Sequence, residues 1–347
     1  MLWQSPTYSF TIDQSLLAGI VMAAFATIAC VFMVYGVLLL NHRLDGTRFV
    51  NSRQLQNELR AWSADAPLTA TQQAALIRQM SALTGWAILG YGLGLLLAIG
   101  ATSALALRAT GSLASLMASG AYVMTIVEFI GAALGFTLGY LVGVRRATRR
   151  LPPGDQTWGD LRVRRPRDYR APWVAWTPAL VMLCSAAPLW LLATQTTHVT
   201  LTLCGQTWTY PTGPTLGVFI TLGALTLAVA ALCVRWLAES RRTLLAADPQ
   251  AARGADDQQR AVGIGTVLGL TWMSSGELLQ AAMSMATTSG AGAHQPWTAP
   301  LLTCLYLVGM AANIGGLILF ALRGRLGGRL TGWRRFQAAP TAESVRT

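Results

Sequence analysis

Apolar runs of about twenty residues alternate along the chain with short segments rich in arginine, proline and glutamine. A run of that length crosses the ~30 Å hydrocarbon core of a bilayer as a helix. Seven are predicted, from about Ser15 to Leu40, Leu83 to Leu107, Ala118 to Val144, Pro172 to Thr194, Leu216 to Leu237, Ala261 to Thr287 and Pro300 to Leu322. The expected fold class is therefore all-α, a polytopic membrane helix bundle. Its parts are an outer tail 1–14, a seven-helix domain 15–322, cytoplasmic loops 41–82, 145–171 and 238–260, and a basic cytoplasmic tail 323–347.

Within the third span Gly131, Gly135, Gly139 and Gly143 recur every four residues and share one helical face with Glu128. Glycine lets a neighbouring backbone approach closely, so this face is expected to meet another helix, either in the same chain or by self-association. The fourth span carries Pro178 and Pro188, which remove backbone donors and make it the expected hinge. After it, alternating threonine and apolar residues around Cys204-Gly205-Gln206 predict a short outer hairpin. The sixth span is the least apolar, with a polar stripe of Ser274, Glu277, Gln280 and Ser284.

Charge then orients the bundle. Arg145, Arg146, Arg149, Arg150, Arg162, Arg164, Arg165 and Arg167 crowd one loop, and basic residues cluster in the first and third inner loops and the tail. This bias predicts an outer amino terminus, an inner carboxyl terminus and a plasma-membrane (cytoplasmic-membrane) protein in which Arg108 is the sole outer arginine. The arginine-rich loop is expected to contact anionic lipid or a cytoplasmic protein partner, and no nucleic acid. Two pieces of the first inner loop, Arg53 to Trp62 and Thr71 to Met80, read either as helices along the bilayer surface or as a solvated helical loop. The spans divide as three, one and three, with GYLVGVRRATRRL at the end of the third beside ILFALRGRLGGRL at the end of the seventh, the pattern of a parallel repeat. This count, orientation and layout resemble those of the SWEET sugar transporters, whose spans carry characteristic prolines. The first span here has none, so the resemblance extends to layout alone.

Composition narrows the chemistry. All 26 basic residues are arginine, which excludes lysine Schiff bases with retinal or pyridoxal and a Walker A phosphate loop. The histidines His42, His198 and His294 lie at span ends or in loops, and no ligand spacing joins them to Cys204, so neither a cofactor nor a metal is expected. No HExxH or GxSxG occurs, and an enzyme is not expected. A Cys204 to Cys304 disulfide is conceivable from their positions near the outer side.

Of fourteen acids, only Glu128 and Glu277 lie well inside spans, each about ten residues from the outer end, or on the order of 15 Å deep. A charged group there costs roughly 2.5 to 3.5 kcal/mol on insertion scales and is expected to face protein or water. The two acids with Gln280 and Ser274 are the candidate substrate or ion site of a permease or transport component, possessing or lacking a separate ATPase partner. The other expectation is a non-transporting membrane subunit or sensor that binds its partner through the arginine loops.

Overall fold

A computed structural model describes residues 14–41, 70–110, 130–146, 166, 169, 172–203, 206–239, 249–291 and 296–321. The helices are α1 (Gln14–Leu40), α2 (Ala70–Thr110), α3 (130–146), α4 (Pro172–Cys184), α5 (Ala186–Gln195), α6 (Thr212–Glu239), α7 (Pro249–Thr288) and α8 (Thr298–Ala321). Strands β1 (His198–Leu203) and β2 (Gln206–Pro211) pair antiparallel, His198 opposite Pro211 and Leu203 opposite Gln206, as the expected hairpin. Among the described residues, four segments are long and apolar enough to cross a membrane: Ser81–Ala101, Trp173–Gln195, Thr215–Glu239 and Thr298–Phe320. Multiple membrane passes fit this architecture.

The distribution of large side chains is that of a bundle in an apolar solvent. Leu97, Trp176, Leu183, Leu232 and Leu307 are exposed, while the small or polar Ser274, Ser275, Ala281, Ala282 and Ala286 of α7 are buried. Helix α7 packs on α4, α5, α6, α8 and β1, and its Gly263 lies against the Tyr140 ring of α3. A helix enclosed by other helices needs little lipid-facing hydrocarbon, which explains why the sixth predicted span has the weakest apolar character.

Three glycine seams set the closest approaches. A Cβ added at Gly135 would lie 2.7 Å from the Cα of Gly94, and one at Gly139 would lie 2.9 Å from the Cα of Gly90. The glycine ladder of α3 thus meets α2 within the chain, antiparallel, as Ala98 lies by Gly131 and Leu83 by Gly143. The opposite face of α2 presents Gly85 and Gly92 to Gly36 and Ala29 of α1. Gly269 and Gly276 of α7 meet Gly316 and Gly309 of α8. The four-residue spacing of the α3 ladder is matched by Gly90 and Gly94 of α2, while Gly85/Gly92, Gly269/Gly276 and Gly309/Gly316 are spaced seven apart, two turns on one face.

Two boundaries differ from expectation. Helix α2 runs unbroken through 41 residues, about 60 Å, so Thr71 to Met80 continues the second span instead of forming a separate surface helix or loop. No proline or glycine lies between Ala70 and Thr84 to interrupt the hydrogen-bond ladder. Helix α7 likewise starts at Pro249, inside the segment expected to be a loop up to residue 260. Proline suits a first helical turn because its missing N–H would be unpaired there anyway. The helix ends in a Schellman motif: Gly290 has φ +67°, Ala291 N–H donates to Ala286 O at 3.0 Å, and Gly290 N–H to Thr287 O at 3.2 Å.

The two prolines of the fourth span act differently. Pro188 cannot donate to the carbonyl four residues back, at Cys184, and the helix is interrupted at Ser185 before α5 begins. Pro178 lies within continuous α4, and the Val174 carbonyl it leaves unbonded accepts a 2.8 Å hydrogen bond from Trp272 Nε1 of α7. The tertiary structure therefore supplies the donor that proline removed, and the backbone discontinuity sits near Pro188 alone.

Candidate functional site

The polar face of α7 is divided between two surroundings. Glu277 points to α8, where Asn313 Nδ2 donates to its Oε1 at 2.9 Å. Glycines on both helices make the space: a Cβ at Gly276 would lie 2.8 Å from Asn313 Cγ, and one at Gly309 would lie 2.9 Å from Gln280 Cγ. Asn313 Oδ1 and Gln280 Nε2 are buried without a hydrogen-bond partner. A carboxylate, an amide oxygen and an amide N–H thus lie at one helix interface, with hydrogen-bonding capacity left over. Buried amide atoms ordinarily find partners, so the unpaired ones single out this interface as the candidate site.

Ser274 faces elsewhere. It lines a cavity of about 10 Å³ with Thr137 of α3, Thr226 of α6 and Thr271 of α7. The threonine hydroxyls donate to carbonyls one turn back, Thr137 to Ala133 at 2.9 Å, Thr226 to Leu222 at 2.8 Å and Thr271 to Val267 at 2.7 Å, and each keeps acceptor lone pairs. Ser274 is 1% exposed and its Oγ has no partner. The structure therefore brings Glu277 and Gln280 to one interface and puts Ser274 at another; the sequence stripe joined groups that different neighbours separate. Asn313, which completes the Glu277 site, was missed, although it is the one carboxamide in the apolar run of the last span.

A second buried polar centre lies where α6 ends. Arg260, expected in the inner loop, is instead a helical residue of α7 and only 1% exposed. Its Nη1 donates to the carbonyls of Leu237 at 2.8 Å and Ala238 at 2.9 Å. These belong to the last turn of α6, whose carbonyls lack intrahelical donors, so a cation there meets both the hydrogen-bond need and the negative dipole end. One turn earlier Asp257 accepts a 2.9 Å hydrogen bond from the hydroxyl of Tyr169, which is 4% exposed and belongs to the arginine-rich loop.

Of the other expected site residues, Arg145 and Arg146 are exposed at the end of α3, and the Arg146 guanidinium stands 4.2 Å from the centre of the Trp86 ring. Glu128, Arg149, Arg150, Arg162, Arg164, Arg165, Arg167, Cys204 and His294 lie outside the described residues. His198 opens β1, exposed, with Nδ1 3.0 Å from the Thr197 hydroxyl. Among the described residues no group of three or more His, Cys, Asp or Glu side chains could hold a metal ion. Comparisons with protein-family models, curated proteins and solved structures found no match to this chain.

Proposed function

We propose that the chain is a seven-span permease or transport component of the plasma membrane, amino terminus out and carboxyl terminus in, whose site is built on α7 and α8. The carrying observation is Glu277 held by Asn313 beside the buried, unpaired Asn313 Oδ1 and Gln280 Nε2. An acid deep in a span is costly unless it serves a protein or solute partner, and here it sits on the central helix of the bundle. The Glu277 carboxyl with the Asn313 amide oxygen suits a proton, a small cation or a solute bearing a cationic group, and the Gln280 N–H suits an acceptor atom on the same solute. The broken α4 and α5 pair packs against the same helix and provides an element able to change shape near the site. Glu128, on the glycine face of the third span, is the proposed second acid.

The test is ion and solute flux into liposomes containing the purified full-length chain, wild type against Glu277→Gln and Glu128→Gln. Glutamine keeps the oxygen that accepts from Asn313, so folding is preserved while the charge is lost. Loss of flux in Glu277→Gln with unchanged thermal stability is expected. Intact flux in the double variant would dismiss this site. Absence of wild-type flux, with a stoichiometric cytoplasmic protein retained on mild purification, would instead support the partner-binding subunit.

A further inference from the structure

A groove of about 460 Å³ runs along the α2 and α3 seam. Its floor is backbone, because the seam positions are glycine. Its walls are Leu93 and Leu97 of α2 and Leu138 and Val142 of α3, each 42% exposed or more, with Leu222 of α6 closing one side. From Ala98 to Trp86 it extends about 18 Å at 1.5 Å per residue, slightly longer than the ~15 Å hydrocarbon depth of one leaflet. Almost nothing polar lines it.

Its Trp86 end has a different character. There the indole is covered by the Arg146 guanidinium, with exposed Arg145 beside it in sequence. A cation held on an aromatic ring at the end of a spanning helix is placed at headgroup depth, where tryptophan and arginine both settle. The shape and the charge together describe one kind of occupant: a hydrocarbon chain one leaflet long attached to an anion.

We propose that this groove binds an anionic phospholipid of the arginine-side leaflet, one acyl chain lying on the glycine floor and the phosphate at Arg145 and Arg146. The glycine face that brings α2 and α3 together therefore also shapes a lipid seat, independently of any transport activity at Glu277.

The test uses the full chain in vesicles containing a trace of phosphatidylglycerol or phosphatidylcholine with a photoreactive diazirine on one acyl chain. Labelled peptides are compared between the groove, at Leu93, Leu97 and Leu138, and the ordinary lipid-facing surface, at Leu232 and Leu307. Phosphatidylglycerol is expected to label the groove in preference to that surface, and phosphatidylcholine to label both alike. Replacing Arg145 and Arg146 by glutamine should cut the groove labelling roughly tenfold or more, since each juxtamembrane arginine raises attraction to anionic headgroups by a factor of about five. Leu97→Trp, which narrows the groove and leaves the arginines, should lower it as well. Equal labelling of all surfaces by both lipids, or groove labelling unchanged by the arginine replacements, would overturn the proposal. So would disulfide capture of two chains through Leu138→Cys without lipid labelling, which would make a second copy the occupant.

Discussion

Replacing Gly135 by alanine adds one methyl group to a seam that has no room for it. The new Cβ would lie 2.7 Å from the Cα and 2.9 Å from the N of Gly94, and closer still to the carbonyl of Gly90. These are backbone atoms of a neighbouring helix and cannot rotate away, and ordinary contact begins near 3.4 Å. Helices α2 and α3 must therefore part by on the order of 1 Å, a gap at which a dispersion contact has lost a quarter to a half or more of its depth. Overpacking of this kind costs about 1 to 3 kcal/mol, against which alanine returns up to ~1 kcal/mol of helix propensity. The same substitution at Gly100, also on α2, supplies the control, because a Cβ there meets nothing within 4 Å. Gly100→Ala is expected to be neutral or stabilising by a few tenths, and Gly135→Ala and Gly94→Ala destabilising by a net ~1 to 2 kcal/mol. Equilibrium unfolding of the three purified variants in one mild detergent measures the difference. Equal stability of Gly135→Ala and Gly100→Ala would refute the close approach of the two helices.

Two further substitutions test the buried polar contacts. Arg260→Met keeps an unbranched apolar stem and takes the guanidinium donor from the Leu237 and Ala238 carbonyls at the end of α6; a loss of about 2 to 4 kcal/mol is expected in thermal or denaturant unfolding. A change below ~0.5 kcal/mol would show that the cap contributes nothing. Trp272→Phe retains a ring against Trp173, whose present centroid distance is 6.1 Å, and removes the N–H that serves Val174 O, at a cost of about 1 to 3 kcal/mol. In a Pro178→Ala background the residue 178 amide can serve that carbonyl itself, so the cost of Trp272→Phe should shrink; an unchanged cost would show that the hydrogen bond does not compensate for the proline.

The membrane character and most of the elements were legible because they depend on local quantities. Apolar run length is counted along the chain, the hairpin follows from alternation around Cys204-Gly205, and the identical spacing of Gly131, Gly135, Gly139 and Gly143 marks one face of one helix. What such patterns leave open is the partner. Gly85 and Gly92 face α1 while Gly90 and Gly94, on the same helix, face α3, and nothing in their spacing assigns them so. Arg260 reads as a loop arginine because a charge at the edge of an apolar run normally lies in water. The end of α6, brought beside it, supplies two carbonyls that favour its burial.

The candidate site shows the same division. Periodicity placed Ser274, Glu277 and Gln280 on one broad face of a helix, and the cost of an intramembrane charge singled out Glu277 together with Glu128, which lies outside the described residues. By itself, then, the sequence determined the all-α class, the presence of several helices apolar enough to cross a membrane and which helix carried polar groups, since hydrophobicity and helical period act residue by residue. The tertiary structure alone decided that Ser274 turns to the threonines of α3 and α6, that Asn313 receives Glu277, and that Trp272 replaces the donor missing at Pro178. Those outcomes depend on which backbones come within hydrogen-bond reach, and that is set by the combined packing of all the helices.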